Sequence, residues 1–186
     1  AFADKNVGTG KTVNVTGISL GGTDAGNYAL QSTTASTTAN ITQASLSVSG
    51  ATAANRVYDG TTSASVSGGT VSALGSDSVS LSSANATFGD KNVGIGKAVN
   101  TAYTLSGTDA ANYSLVQASG LTADITAKAL TANYTGTNKT YDATTTAGVT
   151  GSSSDIVSGD TVTFSQSAAF ADKNVGTGKT VNVTGI

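Results

Sequence analysis

Residues 87–105 read TFGDKNVGIGKAVNTAYTL, a loop rich in Gly and Asn that delivers the chain into Val99, Thr101, Tyr103 and Leu105, four alternate positions on one face of a strand. The same loop stands at both ends of the chain. Residues 1–18 read AFADKNVGTGKTVNVTGI, and residues 169–186 match them letter for letter. The middle copy divides the offset from Ala1 to Ala169 into two periods of about 84 residues. Two other landmarks keep this spacing. Thr23-Asp24-Ala25-Gly26-Asn27-Tyr28-Ala29-Leu30 is answered by Thr108-Asp109-Ala110-Ala111-Asn112-Tyr113-Ser114-Leu115. Likewise, Asn55-Arg56-Val57-Tyr58-Asp59-Gly60-Thr61-Thr62 is answered by Asn138-Lys139-Thr140-Tyr141-Asp142-Ala143-Thr144-Thr145. This organisation makes residues 1–44 the C-terminal half of a repeat, 45–127 a complete repeat, and 128–186 the N-terminal part of the next.

Composition narrows the chemistry. The chain has eleven Asp, no Glu and no His, Cys, Met, Trp or Pro, so general acid–base catalysis, thiol nucleophiles and transition-metal sites lack their usual residues. We therefore expect a protein that is not an enzyme. About 30% of the residues are Ser or Thr, and the apolar ones are mostly Val, Ile, Leu and Ala, a balance that favours strands and turns over helices. Charged residues make up 11% and the net charge is −2, which excludes the basic surface that nucleic acid or an anionic membrane would need. No apolar run is long enough for a membrane span.

Alternation and turn residues place the strands of one period. Leu46 and Val48 open it, and Val57-Tyr58-Asp59-Gly60 is a turn signal. Ala64 and Val66 follow, Gly68-Gly69 breaks the pattern, and Leu74-Gly75-Ser76-Asp77 turns it into Val79 and Leu81. Phe88 closes a short segment; Tyr113 and Leu115, then Leu121, Ala123 and Ile125, end the unit. In the first copy Val13 and Val15 share a phase, whereas Ile18 and Leu20 lie on the other, which predicts a β-bulge near Gly17. No Gly or Pro interrupts residues 125–130, so consecutive units are expected to be joined stiffly, as a rod. Some seven short strands in about 84 residues predict an all-β fold of tandem Ig-like β-sandwiches with Greek-key connections, the alternative being a β-grasp-like or other mainly-β module. The Asp-x-Gly-x-Tyr pattern at Asp24–Tyr28 resembles the corner of immunoglobulin domains, making Tyr28 and Tyr113 candidate tyrosine corners.

Other motifs are weaker. Gly10-Lys11-Thr12 ends like a phosphate-binding loop, but Lys5 occupies the position where that motif needs Gly, and the middle copy reads Gly96-Lys97-Ala98, without the hydroxyl. Asp24, Asp59, Asp109 and Asp142 sit in turns where calcium would find oxygen ligands, yet no clustered acidic run accompanies them. Seven Asn-x-Ser/Thr sequons occur, most of them expected from the composition alone.

Through Arg56 to Thr62, residues 2–20 and residues 22–30, the chain resembles the YDG repeat of filamentous-haemagglutinin-like bacterial adhesins. The resemblance implies a stalk module of a very large exported protein at the bacterial cell surface or in the surrounding matrix. Its partners would be neighbouring repeats of the same chain or identical chains end to end, with an unknown host or matrix ligand, and no cofactor is implied. A glycan- or calcium-binding adhesion module, with Tyr58 or Tyr141 facing the ligand, is the alternative. Ala143 replaces the glycine in the second YDG turn, so glycine is dispensable there.

Overall fold

The computed structural model describes residues 1–82 and 85–185. Ile186, the last residue of the terminal copy, lies outside them. Among the described residues the fold is all-β, relieved only by two single-turn 3-10 helices at Ala25–Asn27 and Ala110–Asn112. The strands are β1 (Gly8–Thr16), β2 (Thr34–Ile41), β3 (Ala44–Ser47), β4 (Thr52–Ala53), β5 (Arg56–Val57) and β6 (Ser63–Ala64). They continue with β7 (Val66–Ser67), β8 (Ser80–Leu81), β9 (Asn85–Phe88), β10 (Gly94–Ala102), β11 (Leu105–Ser106) and β12 (Tyr113–Val116). The last are β13 (Thr122–Thr126), β14 (Asn133–Thr137), β15 (Gly148–Ser152), β16 (Ser167–Phe170) and β17 (Val181–Thr184). Most fall where apolar alternation predicts them.

Two compact units form, and they do not follow the sequence copies. One comprises Ala1–Ala54, Ser63–Gly89 and Lys97–Ala123; the other comprises Asn55–Thr62, Asp90–Gly96 and Asp124–Ile186. The middle copy thus contributes to both.

In the first unit β1 pairs antiparallel with β2, from Lys11↔Ala39 to Thr16↔Thr34. The register slips between Gly8 and Lys11, where Gly10 takes φ 61°. Beyond Thr16, Gly17 takes φ 70° and the amide of Ile18 bonds the carbonyl of Thr33. β9 pairs antiparallel with β10 (Val99↔Phe88) and with β6 (Ala64↔Ala86), while the Val99 amide reaches Leu121 on the other side. β4 pairs with β7 and β8 with β11, both antiparallel. The antiparallel Greek-key expectation needs correcting at β3, which runs parallel to β12 with Leu46↔Leu115. The chain leaves and re-enters this pair in the same direction because the intervening residues form a complete crossover.

The continuous strand expected from Val99 to Leu105 breaks after Ala102. There the Gln117 side-chain amide donates to the Tyr103 carbonyl and accepts from its amide, both at 2.8 Å, replacing a neighbouring strand. Tyr103 then packs on the Gly68-Gly69 break, where a Cβ on Gly69 would lie 2.6 Å from its hydroxyl.

In the second unit β14 pairs with β15 and β16 with β17, all antiparallel, and β5 runs parallel to β13 (Ile125↔Arg56). The Phe164 ring meets Tyr134 edge-on at 6.2 Å.

Every buried residue among those described belongs to residues 45–127: Leu46, Ala86, Phe88, Val99, Tyr103, Tyr113, Ala123 and Ile125. The flanking copies repeat the sequence without the burial. Phe88 is 2% exposed and its counterpart Phe2 38%; Tyr113 is 5% exposed and Tyr28 74%.

Candidate docking junction

Three short motifs close on themselves before they touch anything else. In the DKN loop, an Asp accepts from the amide two residues on: Asn6 to Asp4 at 2.8 Å, Asn92 to Asp90 and Asn174 to Asp172 at 2.7 Å. Lys11 then reaches back to Asp4 and to the Asn6 carbonyl, as Lys179 does to Asp172 and Asn174. The Gly-Lys end of the motif is a self-clamped hairpin loop.

The YDG turn is built on the same logic. Asp59 Oδ1 accepts from the Thr61 amide and hydroxyl and from Arg56; Asp142 Oδ1 accepts from the Thr144 amide and hydroxyl and from Lys139. The Thr61 amide, then its hydroxyl, hold Asp59 below its ordinary carboxylate range, while Lys139 foremost pushes Asp142 down to about 2. The third motif is a turn ending in Asp, closed by Asp77 amide to Leu74 carbonyl at 3.1 Å and by Asp160 amide to Val157 carbonyl at 3.0 Å.

What the closed motifs leave over is the second residue of each DKN loop, Lys5, Lys91 and Lys173. In the first unit Lys5 binds Asp77, and also Asp109 at 3.0 Å. Beside it the Val7 amide donates to Asn112 Oδ1 at 2.9 Å, Asn112 donates to Asn6, and Gln43 donates to the Ala111 carbonyl. In the second unit Lys91 binds Asp160 at 2.7 Å, and Tyr58 donates its hydroxyl to the same carboxylate at 2.6 Å. The ammonium lies 5.7 Å from the Tyr58 ring centre. A cavity of about 230 Å³ sits there, walled by Tyr58, Val93, Leu130, Val157 and Val162. Each junction joins a DKN loop from one sequence copy to the Asp turn of the next.

Charge pairing tunes both partners. Lys5 is pushed up to about 12, by Asp77 before Asp109, and Lys91 to about 12, by Asp160 before Tyr58. Asp77 and Asp160 are lowered, chiefly by Lys5 and Lys91 respectively. Asp109 is lowered first by the Ser78 amide and then by Lys5.

The predicted residues are distributed as follows. Tyr113 donates to Asp77 at 2.7 Å and accepts from the Leu74 amide at 3.0 Å, so its hydroxyl serves the Asp turn, not its own corner. Tyr28 points into solvent. Tyr58 belongs to the second junction, while Tyr141 is 56% exposed. Asp24, Asp59, Asp109 and Asp142 stand apart, and among the described residues no three acidic side chains converge. Sequence reasoning does not single out Lys5, Lys91 or Asn112 as site residues. For the two lysines the signal is the recurrence of Lys between Asp and Asn in all three loops, 72 residues before Asp77 and 69 before Asp160.

A family model described as YDG domain matches residues 1–36, 42–120 and 126–186. No curated protein and no solved structure matches the chain.

Proposed function

The chain belongs to the YDG domain family, and from that premise we propose that it is a structural stalk module of a large exported bacterial adhesin, built as tandem repeats of about 84 residues that dock end to end. The observation that carries this reading is the recurrence of one ion pair, Lys5 with Asp77 and Lys91 with Asp160, each between a DKN loop and the Asp turn of the following copy. A recurring side-chain lock suits a module whose task is to hold its neighbour at a set orientation. The partners are neighbouring repeats, in the same chain or in identical chains, and the setting is the bacterial surface or matrix, as the adhesin resemblance implies. The self-closed Asp turns and the absence of His, Glu and Cys support a non-catalytic, cofactor-free module. Small-angle scattering on chains of two, four and six repeats tests the reading. The maximum dimension is expected to rise in proportion to repeat number, and a dimension that levels off would rule out end-to-end docking.

A further inference from the structure

We propose that the exposed end of the last copy, where Tyr141, Lys173 and Val175 surround a cavity of about 420 Å³, is the receptor for the Asp turn of a following YDG repeat. The proposal rests on the end-to-end reading above and adds to it a site and an occupant. Tyr141, Lys173 and Val175 correspond in sequence to Tyr58, Lys91 and Val93, the residues that face the turn ending in Asp160. Where that turn is seated, Tyr58 is half-buried and Val93 is 54% exposed; Tyr141 is 56% and Val175 87% exposed.

Charge selects the occupant. Lys139 and Lys179 in the cavity wall are neutralised by Asp142 and Asp172, whereas Lys173 has no ion pair among the described residues. An incoming carboxylate at the end of a tight turn meets one ammonium and one phenol, the pair that holds Asp160. Placing the two observed junctions on one another completes the arrangement. Asp77 takes Lys5 from the preceding copy and Tyr113 from its own; Asp160 takes Lys91 and Tyr58, both from the preceding copy. In a continuous array each such Asp receives one Lys and two Tyr hydroxyls. The turn also brings an apolar residue against the YDG glycine: a Cβ on Gly60 would lie 2.7 Å from Val157 Cγ1, and Ala143 occupies the corresponding place at the open end.

Because residues 169–186 repeat residues 1–18, residues 19–186 can be appended after Ile186 with the register intact, so that Lys173 faces the Asp77 of the appended copy. In this tandem, Lys173→Ala and Tyr141→Phe are each expected to lower the melting temperature by about 2–4 °C, and neither is expected to shift that of the single chain. Lys173→Asp paired with Asp→Lys at the appended Asp77 should restore it, and Ala143→Gly should raise the tandem more than the single chain. Equal shifts in both proteins, or no shift in the tandem, would overturn the assignment. Scattering on the same tandem separates the two levels. An elongated particle indifferent to Lys173→Ala sinks the site alone, whereas a compact particle sinks the end-to-end reading with it.

Discussion

Ala143 is the one described residue other than glycine with a positive φ, at 61°, and it stands where the first YDG turn has Gly60 at 80°. The substitution removes the glycine and keeps the left-handed backbone, because Asp142 still gathers the Thr144 amide and hydroxyl and Lys139. The sequence thus suggested that glycine is dispensable, and the backbone shows that its conformation is not. A Cβ in the left-handed region costs about 1–2 kcal/mol, partly offset by the lower chain entropy of Ala in the unfolded state. Ala143→Gly is therefore expected to stabilise the single chain by about 0.5–1 kcal/mol in denaturant titration, with m unchanged. Asp59 and Asp142 illustrate what residue type leaves open: an Asp in a turn can serve as a metal ligand or as the acceptor that shapes the turn, and here neighbouring amides, hydroxyls and cations hold it.

At the level of elements, the two 3-10 corners separate local from tertiary causes. Asp24 and Asp109 adopt φ −100° and −101°, and Tyr28 and Tyr113 both adopt −128°, so the sequence draws the same backbone twice. Only Tyr113 then finds an Asp turn to bind. Tyr113→Phe is expected to lower the melting temperature by about 3–6 °C and Tyr28→Phe to leave it unchanged, an internal control within one motif. Equal effects would mean that the corner itself, not its distant partner, holds the hydroxyl. Strand positions were legible from alternation because a half-buried strand must alternate. The parallel pairs β3 with β12 and β5 with β13 were not, since two-residue periodicity carries no direction. The end of β10 at Ala102 was hidden as well, because a single glutamine, Gln117, takes over the pairing.

For the whole chain, the absence of His and Cys leaves no side chain with an ordinary pKa between about 5 and 8. The pairs Lys5–Asp77 and Lys91–Asp160 set the limits on either side. Asp77 and Asp160 are lowered in the folded state, so their contribution is present above the unfolded value of 3.8 and is lost as pH falls through the lower folded value. Lys5 and Lys91 are raised to about 12, so theirs is complete below 10.5 and is lost as pH rises through the folded value. The melting temperature is expected to stay level from about pH 5 to 9 and to fall beyond both limits; a step near neutrality would contradict the ion-pair account. The junction lay beyond sequence reasoning for a geometric reason. Period and turn type identify Lys5, Lys91, Asp77 and Asp160 as recurrent, but only folding brings a loop of one copy to a turn of the next.

The self-clamped DKN loop carries a consequence for how such proteins vary over generations. Its internal bonds, Asp4 with Asn6 and Lys11, are reproduced by Asp172 with Asn174 and Lys179, and its outward lysine is supplied by either copy. Any splice that joins one copy of this stretch to its counterpart therefore regenerates an intact loop and an intact lock. Insertions and deletions at that point change length in whole periods and leave no damaged seam, so the number of periods can change while the local chemistry stays the same.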